Sequence, residues 1–442
     1  MNPQPSYTQI LPKFGIEALN PMQEAAGRAI LEQPGDVILD APTGTGKTLA
    51  YLLPLYRLLD PNGAGVQAVV IVPARELAMQ IEQVWKTMAT GFKVNVCYGG
   101  HPMATEIRNL SEPPALLIGT PGRLADHLER STVDLSGVQT LVLDEFDKGL
   151  ELGFQEQMEK VIRALPGLRK RVLVSATAGT EIPAFTGLQE AQRLSFPAGS
   201  AEASGLTLRL VVSEEKDKTE TLYRLLGTLH SEPALIFCNH REAAERISES
   251  LNRKGIGSTV YHGGMEQAYR ERALILFRNG SVRYLVTTDL AARGLDIPEM
   301  KHVIHYQLPV QESEFLHRNG RTARMHATGT AYLMLYGEEK RPSYVPADLE
   351  TVPLPENPDL PGPPEFRTLS IGGGRKNKIA RGDIVGFLLQ KGGLEKEELG
   401  RVEVGDFLSF AAVKADRATG VLDRVREEKL KGKKYRIELV RP

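Results

Sequence analysis

The segment Ala41-Pro-Thr-Gly-Thr-Gly-Lys-Thr48 follows the apolar run Val37-Ile-Leu39. A strand that runs into a Gly-rich turn and then Gly-Lys-Thr has the form of a phosphate-binding loop. Gly44 and Gly46 let the backbone bend until successive N–H groups face one anion, and a helix starting near Lys47 adds the positive end of its dipole. Thr43, Gly44, Thr45 and Gly46 are therefore candidates to cradle a triphosphate, with Lys47 reaching its β- and γ-phosphates. The Thr48 hydroxyl is the candidate to hold Mg2+. Ala41 stands where the pattern has its first glycine. A second element, Asp144-Glu-Phe-Asp147, follows the apolar run Leu141-Val-Leu143. Beside a phosphate loop, an Asp at a strand end holds the metal, here Asp144, and Glu145 next to it is placed to direct or deprotonate the attacking water. Alone, Asp-Glu-x-Asp reads as an acidic turn. Downstream of a phosphate loop it reads as the other half of a nucleoside triphosphatase.

Such groups meet only if a parallel sheet brings two strand ends to one edge, and the chain has the pattern for it. Two stretches alternate short β-rich runs with longer amphipathic ones, the signature of helices covering a parallel sheet. Strands are expected at 37–39, 68–72, 94–98, 115–118, 140–143 and 172–175, then at 208–212, 234–237, 258–260, 284–287, 302–306 and 329–335. Residues 242–251 repeat Ala243, Ala244, Ile247 and Leu251 at helical spacing. The Pro-, Gly- and Ser-containing stretch 196–206 reads as a hinge between two α/β units, 1–203 and 204–340, of which only the first has a phosphate loop. Residues 341–366 hold eight prolines and little periodicity, the composition of an extended, semi-rigid linker. A small α+β domain is expected over 367–442, in the order strand 368–371, helix 383–390, strands 401–404 and 407–413, helix 416–428, strand 435–440.

Composition narrows the classes. With 442 residues, 41% hydrophobic and 25% charged, the chain reads as a soluble protein of several domains. Two cysteines cannot build a disulfide framework or a zinc site. No apolar run reaches membrane-spanning length and no secretory signal is evident, so a cytoplasmic location is expected and no membrane partner. From Glu365 onward there are 18 Lys and Arg against 12 Asp and Glu, whereas the whole chain has net charge −1. A basic tail on an acidic body points to a polyanion partner.

A dozen short motifs between Phe14 and Arg324 resemble, in order, those of the DEAD-box RNA helicases. The resemblance implies two RecA-like domains that use ATP and Mg2+ and bind RNA. Pro21-Met-Gln23 resembles the end of the Q motif, which makes Gln23 the reader of the adenine edge. Pro73-Ala-Arg-Glu-Leu-Ala78, Gly99-Gly100 and Thr120-Pro-Gly-Arg123 resemble RNA-contacting elements, implicating Arg75, Gly100, Thr120, Gly122 and Arg123. Ser175-Ala-Thr177 is similar to the element that couples hydrolysis to domain closure. In the second unit, Arg241 after Leu235-Ile-Phe-Cys-Asn239, then Gln267 and Arg270, then Thr287, match further RNA contacts. Asp289 matches a ribose contact. His317-Arg-Asn-Gly-Arg-Thr-Ala-Arg324 resembles the arginine-finger motif, and Arg321 and Arg324, three apart, face one side of a helical turn. The chain departs from the family pattern at Phe146, Pro42, Ala74, His240 and Ala323, and has Ile16 where an aromatic often lies near adenine.

The tail has its own resemblance. Residues 368–378, Gly382-Asp-Ile384 and Leu430-Lys-Gly-Lys-Lys-Tyr435 are similar to the DbpA-type RNA-binding domain, which implies an RRM-like fold and action on large-subunit ribosomal RNA during ribosome assembly. Arg375, Lys376, Lys378, Lys431, Lys433 and Lys434 are expected to meet phosphates, and at least one of Phe407 and Phe410 to belong to the core. The expected activity is RNA-dependent ATP hydrolysis that remodels or unwinds short duplexes, the tail acting through a short tether and the protein as a monomer. An ATP-gated RNA clamp with little unwinding, and a DNA translocase, are the alternatives.

Overall fold

The structure, a computed structural model, describes residues 6–42, 44–176, 179–196, 205–289, 300–322 and 328–441. The expected sites Thr43, Thr177 and Arg324, and most of the hinge, lie outside them. The chain divides into two compact units, one from the described residues up to Phe196 and one from Gly205 onward.

The first unit is one sheet of β1 (Val37–Asp40), β2 (Ala68–Ile71), β3 (Val94–Cys97), β4 (Leu116–Gly119), β5 (Thr140–Asp144), β6 (Lys170–Ser175) and β7 (Gln192–Ser195). Its order is β3-β4-β2-β5-β6-β1-β7, and every pair is parallel. Helices on both faces explain why β1, β2, β4 and β5 are buried along their whole length and read as continuous apolar runs. β6 lies between β1 and β5, so the loops leaving β1 and β5 emerge at the same edge. β7 was not expected: Gln-Arg-Leu-Ser lacks an apolar run, and the strand sits half-exposed at the margin of the sheet.

The second unit holds β8 (Leu206–Ser213), β9 (Ala234–Cys238), β10 (Ser258–Tyr261), β11 (Tyr284–Thr288), β12 (His302–His305) and β13 (Gly329–Tyr336). They form a parallel sheet in the order β10-β11-β9-β12-β13-β8. A further antiparallel sheet takes β14 (Phe366–Ile371), β15 (Leu399–Val404), β16 (Ser409–Lys414) and β19 (Ile437–Leu439) in the order β15-β16-β14-β19. The helices Arg381–Gln390 and Ala418–Val425 close the core of this small domain with Ile384, Leu388, Val421 and Val425. A short hairpin, β17 (Lys429–Leu430) and β18 (Lys433–Lys434), precedes its last strand. Phe407 lies in the turn before β16 and is 68% exposed, and Phe410 is half-buried, so neither aromatic is buried in the core as expected.

The proline-rich segment begins with a turn, in which the Val345 N–H donates to the Pro342 carbonyl at 3.1 Å, and beyond it is strapped down. The Leu210 N–H donates to the Glu350 carbonyl at 2.9 Å and the Val352 N–H returns to Leu210 at 2.8 Å, so the segment bridges to the edge strand β8. Val352 and Leu354 pack on the β-sheet core, and Arg283 donates to the Pro363 carbonyl. Beyond it, the small domain is bonded to its neighbour. The Asn279 amide donates to Thr368 Oγ1 at 3.1 Å, Ser281 Oγ lies 2.8 Å from the same oxygen, and Arg278 pairs with Glu403 at 2.8 Å. Among the described residues no helix is long and apolar enough to cross a membrane.

Candidate nucleotide and RNA sites

Local sequence sets the phosphate loop. β1 ends at Asp40, and the helix Lys47–Leu58 starts behind Gly46, whose φ of +87° only glycine adopts freely. A Cβ there would come within 2.5 Å of Gln23 Nε2. Gln23 lies at the start of the helix Pro21–Glu32, where Asn20 caps it. Its Oε1 accepts from the Asn20 N–H at 3.1 Å, while its Nε2 donates to the Gly46 carbonyl at 3.3 Å. Asn20 adds a bond to the Thr45 carbonyl at 3.0 Å. Gln23 thus fixes the loop through both atoms of its amide. Lys47 Nζ folds over the loop onto the carbonyls of Ala41 at 2.5 Å and Pro42 at 3.0 Å.

At the same edge β5 delivers Asp144 and Glu145. The Tyr51 hydroxyl, on the phosphate-loop helix, donates to Asp144 Oδ2 at 2.9 Å and also meets the Thr48 side chain. Burial, with the Glu145 charge beside it, pushes the Asp144 carboxyl up to about 7 against the pull of Lys47. A desolvated carboxylate and a hydroxyl joined through one phenol fit a divalent cation that prefers oxygen ligands. Glu145 sits at φ 52°, ψ 43°, a left-handed backbone strained for a non-glycine residue, and it starts the helix Phe146–Glu151. Phe146 itself is buried, in the same apolar cluster as Met158. Ser175, fully buried, ends β6 opposite Asp40 and accepts from the Ala41 N–H at 3.1 Å.

The RNA candidates of the first unit converge. Arg75, Gly99, Thr120, Gly122 and Arg123 line an open cavity of about 270 Å³, together with Phe154. Arg75 lies against the Gly99-Gly100 turn, where a Cβ on Gly100 would be 2.6 Å from Nη1. Thr120 caps the helix Pro121–Glu129, which carries Arg123.

In the second unit the candidates separate. Arg241 is exposed at the head of the helix Arg241–Arg253, near Gly264, and Gln267 heads the helix Gln267–Arg278. Arg270 is buried over the Tyr261 ring, 5.1 Å from its centroid. Thr287 is also buried, with its hydroxyl donating to the Tyr261 carbonyl at 2.9 Å. Asp289 is held by an arginine of its own unit: its two carboxylate oxygens accept from Arg318 at 2.5 and 2.6 Å, so it anchors that side chain. Arg321 is buried in its own unit.

On the small domain the basic residues form one exposed face. Lys431 Nζ donates to the Lys378 carbonyl at 2.9 Å and pairs with Asp383 at 3.1 Å, bringing the hairpin tip with Lys433 beside the turn of Arg375 and Lys376. Lys434 pairs with Glu427. Backbone bonds from Arg375 and Lys376 to Gly405 and Asp406 place the exposed Phe407 next to them.

Sequence reasoning missed Tyr51, Glu106, Phe154 and Arg318, whose partners lie far along the chain.

A phosphate loop and an acid pair at one edge of a parallel sheet, followed by a second sheet of the same kind, define a two-domain nucleotide-driven enzyme. Residues 20–185 match the DEAD/DEAH box helicase family, 217–326 the helicase conserved C-terminal domain, and 368–439 the DbpA RNA binding domain. The chain is 33% identical to the ATP-dependent RNA helicase DbpA of Escherichia coli, over 99% of this chain and 98% of that protein. It is 36% identical to the DEAD-box ATP-dependent RNA helicase CshA of Bacillus subtilis, over 74% of this chain and 67% of the other. In structure it resembles S. cerevisiae Dbp5 bound to RNA and ADP BeF3, with a TM-score of 0.66 at 27% identity over 74% of this chain and 86% of the other. The chain belongs to the DEAD-box helicase family and is an enzyme of that class.

Proposed function

We propose that this protein is an RNA-dependent ATPase that remodels structured RNA, acting on ribosomal RNA during assembly of the large ribosomal subunit. The observation that carries the reading is that the phosphate loop with its acid pair and the groove of Arg75 and Arg123 are built on loops and helices that follow strands of one sheet. ATP would lie on the loop, with Gln23 at its base and Lys47 on its phosphates. Thr48 and Asp144 would hold Mg2+, which supplies charge neutralisation on the phosphates. Glu145 orients and takes a proton from the attacking water, and Arg321 and Arg324 stabilise charge on the departing phosphoryl group. The cores grip the RNA backbone without reading sequence, through Arg75, Gly100, Thr120, Gly122 and Arg123 of the first domain and Arg241 and Gln267 of the second. Ser175 and Thr177 couple hydrolysis to closure. The basic face of Arg375, Lys376, Lys378, Lys431 and Lys433 selects the RNA. The contacts of Thr368 and Arg278 support delivery of that RNA at a set distance from the second core. The reading carries with it a cytoplasmic monomer.

The test is Glu145→Gln. Steady-state ATP turnover should fall at least a hundredfold while ATP-dependent RNA binding persists, and unchanged turnover rejects Glu145 as the base. Strand displacement on a short RNA duplex separates remodelling from a clamp, which would bind in ATP and release no strand.

A further inference from the structure

Behind the RNA groove lies a buried carboxylate that the nucleotide chemistry does not use. Glu106, on the helix Met103–Leu110, has a side chain only 1% exposed. Its Oε1 accepts from the Tyr98 N–H at 3.2 Å and lies 3.3 Å from His101 Nδ1. Its Oε2 accepts from Arg123 Nε at 2.7 Å and lies 2.8 Å from Nε2 of His127, which is fully buried and has its other nitrogen 2.7 Å from Thr132 Oγ1. Arg123 also donates from Nη2 to the His101 carbonyl. Hydrogen bonds from His127 and Tyr98, with the Arg123 charge, hold the Glu106 carboxyl below its usual range despite burial, so it stays ionised at neutral pH.

Cys97, Glu106 and His127 lie close enough together to suggest a metal site. Two facts oppose it. Glu106 Oε2 already takes a guanidinium and an imidazole, and burial pushes the Cys97 thiol up, away from the thiolate a metal needs. The cluster is built to hold an arginine.

We propose that Glu106 is the positioning residue that sets Arg123 in the groove for a nucleic-acid phosphate, with His127 and the Tyr98 amide fixing the carboxylate from behind. The inference rests on reading the groove as the RNA contact. An arginine on a helix surface samples many rotamers and loses that freedom when it binds. Here Nε and Nη2 are committed to protein acceptors, and Nη1 lies 3.7 Å from Asp126 Oδ2, beyond hydrogen-bond distance, at the cavity that Arg123 and Asp126 both line. The guanidinium is ordered before RNA arrives, so less entropy is lost on binding. Glu106 does not itself line the cavity, and removing it should act only through Arg123.

The experiment is a double-mutant cycle on full-length protein, reading half-saturation of a single-stranded RNA in ATPase assays alongside the KM for ATP. Arg123→Ala and Glu106→Ala should each raise RNA half-saturation about tenfold, the combined variant no further than either alone, with the KM for ATP unchanged. Glu106→Gln keeps the shape and an acceptor for Arg123 Nε, so it should fall between wild type and Glu106→Ala, and its melting temperature checks that the domain is folded. Effects that add, or a folded Glu106→Gln as weak as Arg123→Ala together with a raised KM for ATP, overturn the positioning role and leave the groove reading standing. If Arg123→Ala leaves RNA half-saturation unchanged, the groove reading fails and the positioning role with it.

Discussion

The hydroxyl of Tyr51 donates to Asp144 across 93 positions of sequence, at 2.9 Å, and so joins the phosphate-loop helix to the strand that carries the acid pair. The bond fixes one oxygen of a carboxylate whose charge is otherwise costly in so buried a place. Tyr51→Phe should weaken Mg2+-dependent nucleotide binding about tenfold without lowering Mg2+-free nucleotide affinity. Titrating Mg2+ against a fluorescent ATP analogue reads this directly, and an unchanged Mg2+ midpoint would remove the role.

Half-buried Asp289 and fully buried Arg318 form an ion pair in the second core, with Arg318 also donating to Asn239 at 2.8 Å. Breaking such a pair leaves a charge stranded in low dielectric. Asp289→Ala should therefore destabilise that core by about 3 kcal/mol. The ratio of KM values for ATP and 2′-deoxy-ATP should stay at the wild-type value, whereas a direct ribose contact would collapse it.

Thr368 is buried where the small domain meets its neighbour, and its hydroxyl serves both Asn279 and Ser281. Thr368→Val keeps the volume and strands two polar groups, at a cost of about 1–3 kcal/mol. Faster hydrogen exchange at 278–283, with the small domain still folded, is the expected result. No change there would mean that the docking does not depend on this bond.

His305 is fully buried between Phe237 and Phe315, and burial beside Arg318 pulls its pKa down to about 3. The unfolded chain takes up this proton near 6.5, so between those values the fold binds fewer protons than the unfolded state. Stability of the second core should fall as pH drops below about 6.5, by on the order of 2 kcal/mol by pH 5. His305→Gln should flatten that dependence, read as exchange protection of β12 at pH 5 against pH 7.

The strands and the main loop were legible because parallel strands buried on both faces leave unbroken apolar runs, and because Gly44, Gly46 and Lys47 have few other uses. β7 was invisible because a polar margin strand has no such run. Phe407 read as part of a strand, but the Gly405 N–H bonds to the Leu408 carbonyl, and that tight turn throws the ring into solvent. Proline content suggested an extended segment and said nothing of the β8 edge that holds it. Tyr51, Glu106 and the Asp289–Arg318 pair depend on partners brought together only by folding. Motif resemblance assigned Asp289 and Thr287 to ligands, and only the structure reveals what their oxygens already hold.

The central claim is that RNA drives this nucleotide engine. The direct measurement is ATP turnover by the full-length chain as a function of RNA concentration, with DNA of the same sequence as control. Turnover should rise at least tenfold with RNA, further with ribosomal fragments that engage the Arg375–Lys431 face, and hardly at all with DNA. Turnover that is the same with RNA, with DNA and with neither would contradict it.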